Sequence, residues 1–177
     1  MADNAKYIVK PLGDEDRAAF ACGDLELDKY FHERASRDVR EKLSAVFIMV
    51  EETRPGLILG YYTLSAVQID AGELPEQLKK RSGKYRHLGA TLLGRLAVTK
   101  QYQAKGIGAL LLVDALRRSL EGTQKVMSFA VVVDAKSDAA ARFYEKFGFM
   151  RLRGNRLMLP MKTVERNFAR DKGHNPD

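Results

Sequence analysis

Apolar and polar positions along the 177-residue chain change period several times, and each change predicts an element. Tyr7–Leu12 reads as a first strand. From Asp24 to Lys42, Leu27, Phe31, Ala35 and Val39 recur every fourth residue, the stripe of an amphipathic helix. Ala45–Glu51 is a strand, Arg54-Pro55-Gly56 is a turn signal, and Leu57–Ile69 is a long strand. The two strands around the turn should form a hairpin. Residues 70–90 are polar, basic and irregular, with a short helix expected at Pro75–Arg81. Leu92–Val98 returns to strand, and a helix should run from about Gly106 to Glu121 and stop at Gly122. Val126–Val133 is nearly all apolar and β-branched, the signature of a buried central strand. Ser137 or Asp138 should cap a helix that ends before Gly148. Phe149–Leu152 and Leu157–Met161 then form a last hairpin around Gly154-Asn155. The tail 164–177 is charged and is expected to fray. The order is a mixed α/β layer in one domain, residues 1–177, with its core at about 7–161.

Composition narrows the class. A hydrophobic content of 45% is enough for a core without a staple. No apolar run approaches the roughly 20 residues that span a bilayer, and the first residues, Met1 to Lys6, lack the apolar segment of a signal peptide. Cys22 is the only cysteine, so an internal disulfide or a thiolate-cluster metal site is excluded. These features predict a cytoplasmic protein without a metal. The net charge of +7 suits a polyanionic partner. The cations cluster: Lys79, Lys80, Arg81, Lys84, Arg86 and His87 in one loop, His32, Arg34, Arg37, Arg40 and Lys42 along one helix, and Arg151, Arg153 and Arg156 at a late turn. Each cluster alone reads as a solvated face before a binding site, and three in one small domain shift the balance toward binding. No standard nucleic-acid module is recognisable.

The most informative segment is Gln103-Ala104-Lys105-Gly106-Ile107-Gly108, between a strand and a helix. A two-glycine loop at a helix start exposes N–H groups with no intrahelical partner, and the helix dipole adds about half a positive charge. Such a site suits a phosphate or pyrophosphate. The spacing is neither the Gly-rich lysine loop of NTPases nor the three-glycine dinucleotide fingerprint. The Gln/Arg-x-x-Gly-x-Gly/Ala pattern resembles the acetyl-CoA loop of the GNAT N-acetyltransferases. That resemblance implies a GNAT fold, a mixed and mostly antiparallel central sheet flanked by helices. It also implies that acetyl-CoA lies along Leu96, Ala97 and Val98 and at Gln103, Ala104, Lys105, Gly106, Ile107, Gly108 and Ala109.

A second motif supports the first. In Ala139-Ala140-Ala141-Arg142-Phe143-Tyr144-Glu145-Lys146-Phe147-Gly148-Phe149, Ala140, Tyr144 and Phe147 share a helical face. Core packing would account for the aromatics, a buried Tyr needing only one partner for its hydroxyl. The segment also resembles the Phe-Tyr-x-x-x-Gly-Phe signature of GNAT enzymes, which implies that Tyr144 protonates the leaving thiolate of CoA. No general base is visible, because Thr91–Val98 carries no Asp, Glu or His. An α-amine titrates near 7.7–8.0 against about 10.4 for Lys, so an α-amino acceptor is favoured. Arg95 interrupts an otherwise apolar strand and is either paired, functional, or turned to the open side of the sheet.

Further stretches are more specific. Cys22-Gly23-Asp24-Leu25-Glu26-Leu27-Asp28-Lys29-Tyr30, Gly60-Tyr61-Tyr62-Thr63-Leu64-Ser65-Ala66 and Leu93-Gly94-Arg95-Leu96-Ala97-Val98 resemble the GNAT toxins of type II toxin–antitoxin modules. The resemblance implies acetylation of the α-amine of aminoacyl-tRNA, a ribbon-helix-helix antitoxin as partner, and a homodimer. Arg95, Lys79, Lys80, Arg81, Lys84 and Arg86 are then candidates for tRNA contact. Two alternatives stay open at this level: an N-acetyltransferase of a small amine, peptide or protein terminus, and a non-catalytic CoA- or nucleic-acid-binding module.

Overall fold

A computed structural model describes residues 6–173. Seven strands, β1 (Tyr7–Pro11), β2 (Ala45–Glu51), β3 (Arg54–Asp70), β4 (His87–Val98), β5 (Ala130–Asp134), β6 (Met150–Arg151) and β7 (Arg156–Pro160), hydrogen-bond in the order β1-β2-β3-β4-β5-β7-β6. Pairs β1–β2, β2–β3, β5–β7 and β6–β7 are antiparallel, and β4–β5 is parallel. Six helices accompany them: α1 (Leu25–Glu33), α2 (Ala35–Arg40), α3 (Glu76–Ser82), α4 (Ile107–Gly122), α5 (Asp138–Glu145) and α6 (Met161–Lys172). No helix among the described residues is long and apolar enough to cross a membrane. The chain divides into two compact units, Met1–Ser65 with Gly94–Ala115, and Ala66–Leu93 with Leu116–Asp177.

In the first unit the four-residue stripe has the role its spacing predicts. Phe31 and Ala35 are fully buried, and Leu27 and Val39 pack against the same cluster. The Phe31 ring stacks on Tyr61 with centroids 4.2 Å apart, and Phe20 meets both edge-on. The single helix expected over Asp24–Lys42 is two, interrupted at Arg34. Asp24 caps the first by accepting from the N–H groups of Glu26 and Leu27. The second closes where Lys42 turns left-handed and Leu43 and Ser44 donate to Asp38 O.

The β2–β3 hairpin forms, but its turn is at Glu52-Thr53 and not at Arg54-Pro55-Gly56. Pro55 lacks an N–H for the ladder, and the register slips instead, from Val50↔Ile58 to Glu51↔Arg54. Gly60 has a steric reason. A Cβ there would stand 2.7 Å from Ala97 O and 2.6 Å from Leu111 Cδ1. The missing side chain lets β3 come close to β4 and α4.

In the second unit Ala130–Val133 are fully buried and pair with β7 through Val131↔Leu159 and Val132↔Met158. The buried strand expected over Val126–Val133 is only its second half. Val126 and Met127 are 76% and 83% exposed, because the end of α4 turns through Val126 N–H to Gly122 O before the strand begins. The tail expected to fray from Val164 is instead helix α6, with Met161 and Val164 buried; residues 174–177 lie outside the described part. The basic stretch after β3 contains α3, and β4 begins at His87, five residues earlier than the Leu92 start that hydrophobicity suggests.

Candidate active site

In the first unit β4 ends at Val98, a 3-10 turn over Lys100–Tyr102 follows, and the loop delivers the chain into α4. Ala104 and Gly106 both have positive φ, 58° and 83°, which bends successive amides into a concave nest. Gly106 has no heavy atom within 4 Å of the place a Cβ would take, so its face is open. The first bond into α4 is Leu110 N–H to Gly106 O. Among the described residues, the N–H groups of 104–109 therefore meet no protein acceptor. A 16-residue helix stands behind them. Amides, dipole and open glycine together suit a pyrophosphate, and Lys105, its ammonium 5.0 Å over the Tyr102 ring, adds a cation.

Gln103 also holds the loop in place. Its side-chain amide donates to Cys22 O at 2.7 Å and Val98 O at 2.9 Å, so it ties the loop to the end of β4. Its side chain is engaged within the protein. Just past the end of β4, Thr99 N–H donates to Leu59 O. Amides alternate along a strand, so the Val98 N–H points to the opposite edge. Strand β4 pairs with β5 only through Thr91 and Leu92.

Arg95 lies half-buried on β4 with its guanidinium 3.5 Å above the Tyr30 ring. The Tyr30 hydroxyl donates to Asp38 at 3.0 Å, and burial together with that carboxylate raises its pKa to about 12. Sequence reasoning missed Tyr30 as the partner, since the contact joins residues 65 positions apart. It also missed the buried bond from the Tyr62 hydroxyl to Asp114 at 2.6 Å. A lone Asp in the apolar run Leu110-Leu111-Leu112-Val113-Asp114-Ala115-Leu116 is the signal that could have found it.

In the second unit Tyr144 lies on α5, which Ser137 caps by accepting from Ala140 N–H. Its ring packs against Phe143 and Phe149 at 5.2 and 5.4 Å. Its hydroxyl has no hydrogen-bond partner among the described residues. Desolvation alone pushes the phenol up to about 12. Tyr144 is half-buried, stays protonated at neutral pH and keeps its proton available.

The basic groups separate. Lys79 is bound to Glu76 at 2.8 Å. Arg81 lies 5.8 Å over the Phe129 ring, in the wall of a groove of about 590 Å³ shared with Tyr85, His87, Met127 and Lys162. Lys80, Lys84 and Arg86 are exposed. The late turn is less basic than its composition: Arg156 makes a two-pronged bond to Asp134, and Arg151 pairs with Glu145.

Known proteins share this architecture. The tRNA-acetylating toxin of Mycobacterium tuberculosis is 29% identical over 135 residues, 76% of this chain and 78% of that protein. The structure of AtaT complexed with acetyl-methionyl-tRNAfMet superposes with a TM-score of 0.85 at 28% identity, covering 92% of this chain and 99% of that one. A tyrosine-to-phenylalanine mutant of AtaT, bound to the C-terminus of the antitoxin AtaR and acetyl-CoA, gives a TM-score of 0.79 at 26% identity over 92% of this chain and 98% of its own. The acetyltransferase (GNAT) domain matches residues 43–151, and the chain belongs to that family.

Proposed function

We propose that this chain is one acetyltransferase domain that moves the acetyl group of acetyl-CoA to the α-amine of aminoacyl-tRNA, and so acts as a toxin on translation. The likeness to AtaT complexed with acetyl-methionyl-tRNAfMet, which extends over nine-tenths of the chain, is the observation that carries the acceptor. A net charge of +7 and a β4 without any carboxylate agree with it. The family and the AtaT–AtaR complex with acetyl-CoA support the donor and an antitoxin partner, which we take to be of ribbon-helix-helix type. Charged tRNA places the work in the cytoplasm.

The chemistry follows from the residues. The pyrophosphate of the donor rests on the amides of 104–109, and its pantetheine arm runs along Leu96, Ala97 and Val98 as an added strand. The neutral amine attacks the thioester carbonyl. Negative charge grows on the carbonyl oxygen, and the Val98 N–H at the end of β4 receives it. The carbon–sulfur bond breaks, and Tyr144 gives its proton to the sulfur. The amine loses its own proton to solvent, which a low-pKa α-amine does without a protein base. Lys79, Lys80, Arg81, Lys84 and Arg86 contact the tRNA backbone.

The test is direct. Charged tRNA is incubated with the purified chain and acetyl-CoA, and the amino acids released from tRNA are weighed by mass spectrometry. An added 42 Da, about the mass of an acetyl group less one hydrogen, is expected on the α-amine. Unmodified aminoacyl-tRNA beside acetylated peptides or small amines would replace this reading with a general N-acetyltransferase.

A further inference from the structure

Arg95 has an unusual electrostatic setting. It is a half-buried guanidinium with no ion pair and no hydrogen bond among the described residues. Three aspartates on or beside the neighbouring helices are used elsewhere. Asp24 caps α1, Asp28 accepts from Cys22 N–H at 2.8 Å, and Asp38 accepts from the Tyr30 hydroxyl. The Tyr30 ring, 4% exposed and held by that bond, covers one face of the guanidinium at 3.5 Å. A guanidinium binds oxygen with its edges and not its faces. Stacking therefore fixes the plane and leaves the N–H edges unspent. A partly desolvated cation with free, preorganised donors lacks an anion, and burial of a charge without one is costly.

Its place on the strand says which anion. Arg95 alternates with Leu96 and shares its face with Ala97, which belongs to the same buried cluster as Tyr30, Phe31 and Tyr61. It is one residue away from the stretch proposed to hold the thioester arm. We propose that Arg95 is a specificity residue for the acceptor: its free edge takes a backbone phosphate of the RNA that carries the amine. The proposal rests on the aminoacyl-tRNA reading and adds to it a discriminating contact. An acceptor with the same amino acid and no phosphate gains nothing from Arg95.

The experiment compares two acceptors of the full chain, an aminoacyl-tRNA and a 3′-aminoacyl adenosine with the same amino acid and no phosphate. A hydrogen bond to a charged group is worth about ten- to a hundred-fold in affinity. Arg95→Gln is expected to raise KM for aminoacyl-tRNA by that factor, while KM for the nucleoside and the affinity for acetyl-CoA stay within about twofold. The slope of log affinity against log salt should flatten by about 0.7–0.9, one phosphate contact. Arg95→Lys keeps the cation without the flat fork. It should retain the salt slope but not the full affinity, and it serves if the Gln variant does not fold. Equal losses on both acceptors, or an unchanged salt slope, would overturn the phosphate contact and leave Arg95 as a strut between β4 and Tyr30. Failure of the wild-type chain to acetylate charged tRNA at all would overturn the acceptor reading as well, so the two failures are distinct.

Discussion

Removing one oxygen from Tyr144 separates a catalytic from a structural role. Tyr144→Phe keeps the ring and its contacts with Phe143 and Phe149 at 5.2 and 5.4 Å. The hydroxyl has no partner among the described residues, so the substitution breaks no hydrogen bond. Stability should therefore change by no more than about 0.5 kcal/mol, the range of substitutions that touch no special feature. For a chain of this size that is at most about 2 °C in Tm. Activity should respond on another scale. General acid catalysis contributes about 10²–10⁴-fold, or roughly 2.7–5.4 kcal/mol of barrier at 1.36 kcal/mol per factor of ten. Release of the CoA thiol, followed with a chromogenic disulfide, gives kcat. Thermal denaturation gives Tm, and calorimetry gives the acetyl-CoA affinity, which should stay unchanged. Turnover equal to wild type in the folded variant would refute the assignment and return Tyr144 to core packing.

Three further outcomes are expected. Gly106→Glu puts a side chain where φ is +83° and a carboxylate in the open nest, so acetyl-CoA binding by calorimetry should vanish while circular dichroism keeps its folded signature. Gly60→Ala must displace Ala97 O from 2.7 Å; overpacking of this kind costs about 1–3 kcal/mol, read as a lower denaturation midpoint, and an unchanged midpoint would disprove the close approach. In the pH profile, kcat/KM should rise as the acceptor α-amine loses its proton near 7.7–8.0 and then stay level. The Tyr144 phenol, raised to about 12, remains protonated across that range and gives up its acid role only as pH climbs toward its own pKa; a descending limb below pH 10 would count against Tyr144 as the acid.

The sequence by itself determined what local chemistry can dictate. A four-residue stripe of Leu27, Phe31, Ala35 and Val39 has only one way to be buried, against a common core. Two glycines at a helix start leave amides unpaired whatever surrounds them, so the exposed amides were legible from residue types, whereas the left-handed turn at Ala104 was not. Ser137 before an alanine-rich helix was a sufficient start signal. The limits of Val126–Val133 were not legible, because hydrophobicity is scalar: it says that Val126 and Met127 would gain from burial, not that the end of α4 turns through them into solvent. The tail misled in the opposite sense, since two buried residues, Met161 and Val164, suffice to hold a helix whose other positions are mostly polar or charged. Long-range pairing was beyond reach for a geometric reason. The partner of Arg95 is set by which helix packs over β4, and the tie from the Gln103 amide to Cys22 O and Val98 O exists only once the fold brings those carbonyls together. Local sequence fixes which groups are left without partners along the chain; only tertiary packing decides which of them, such as the Tyr144 hydroxyl and the Arg95 edge, are still without one when the chain has folded.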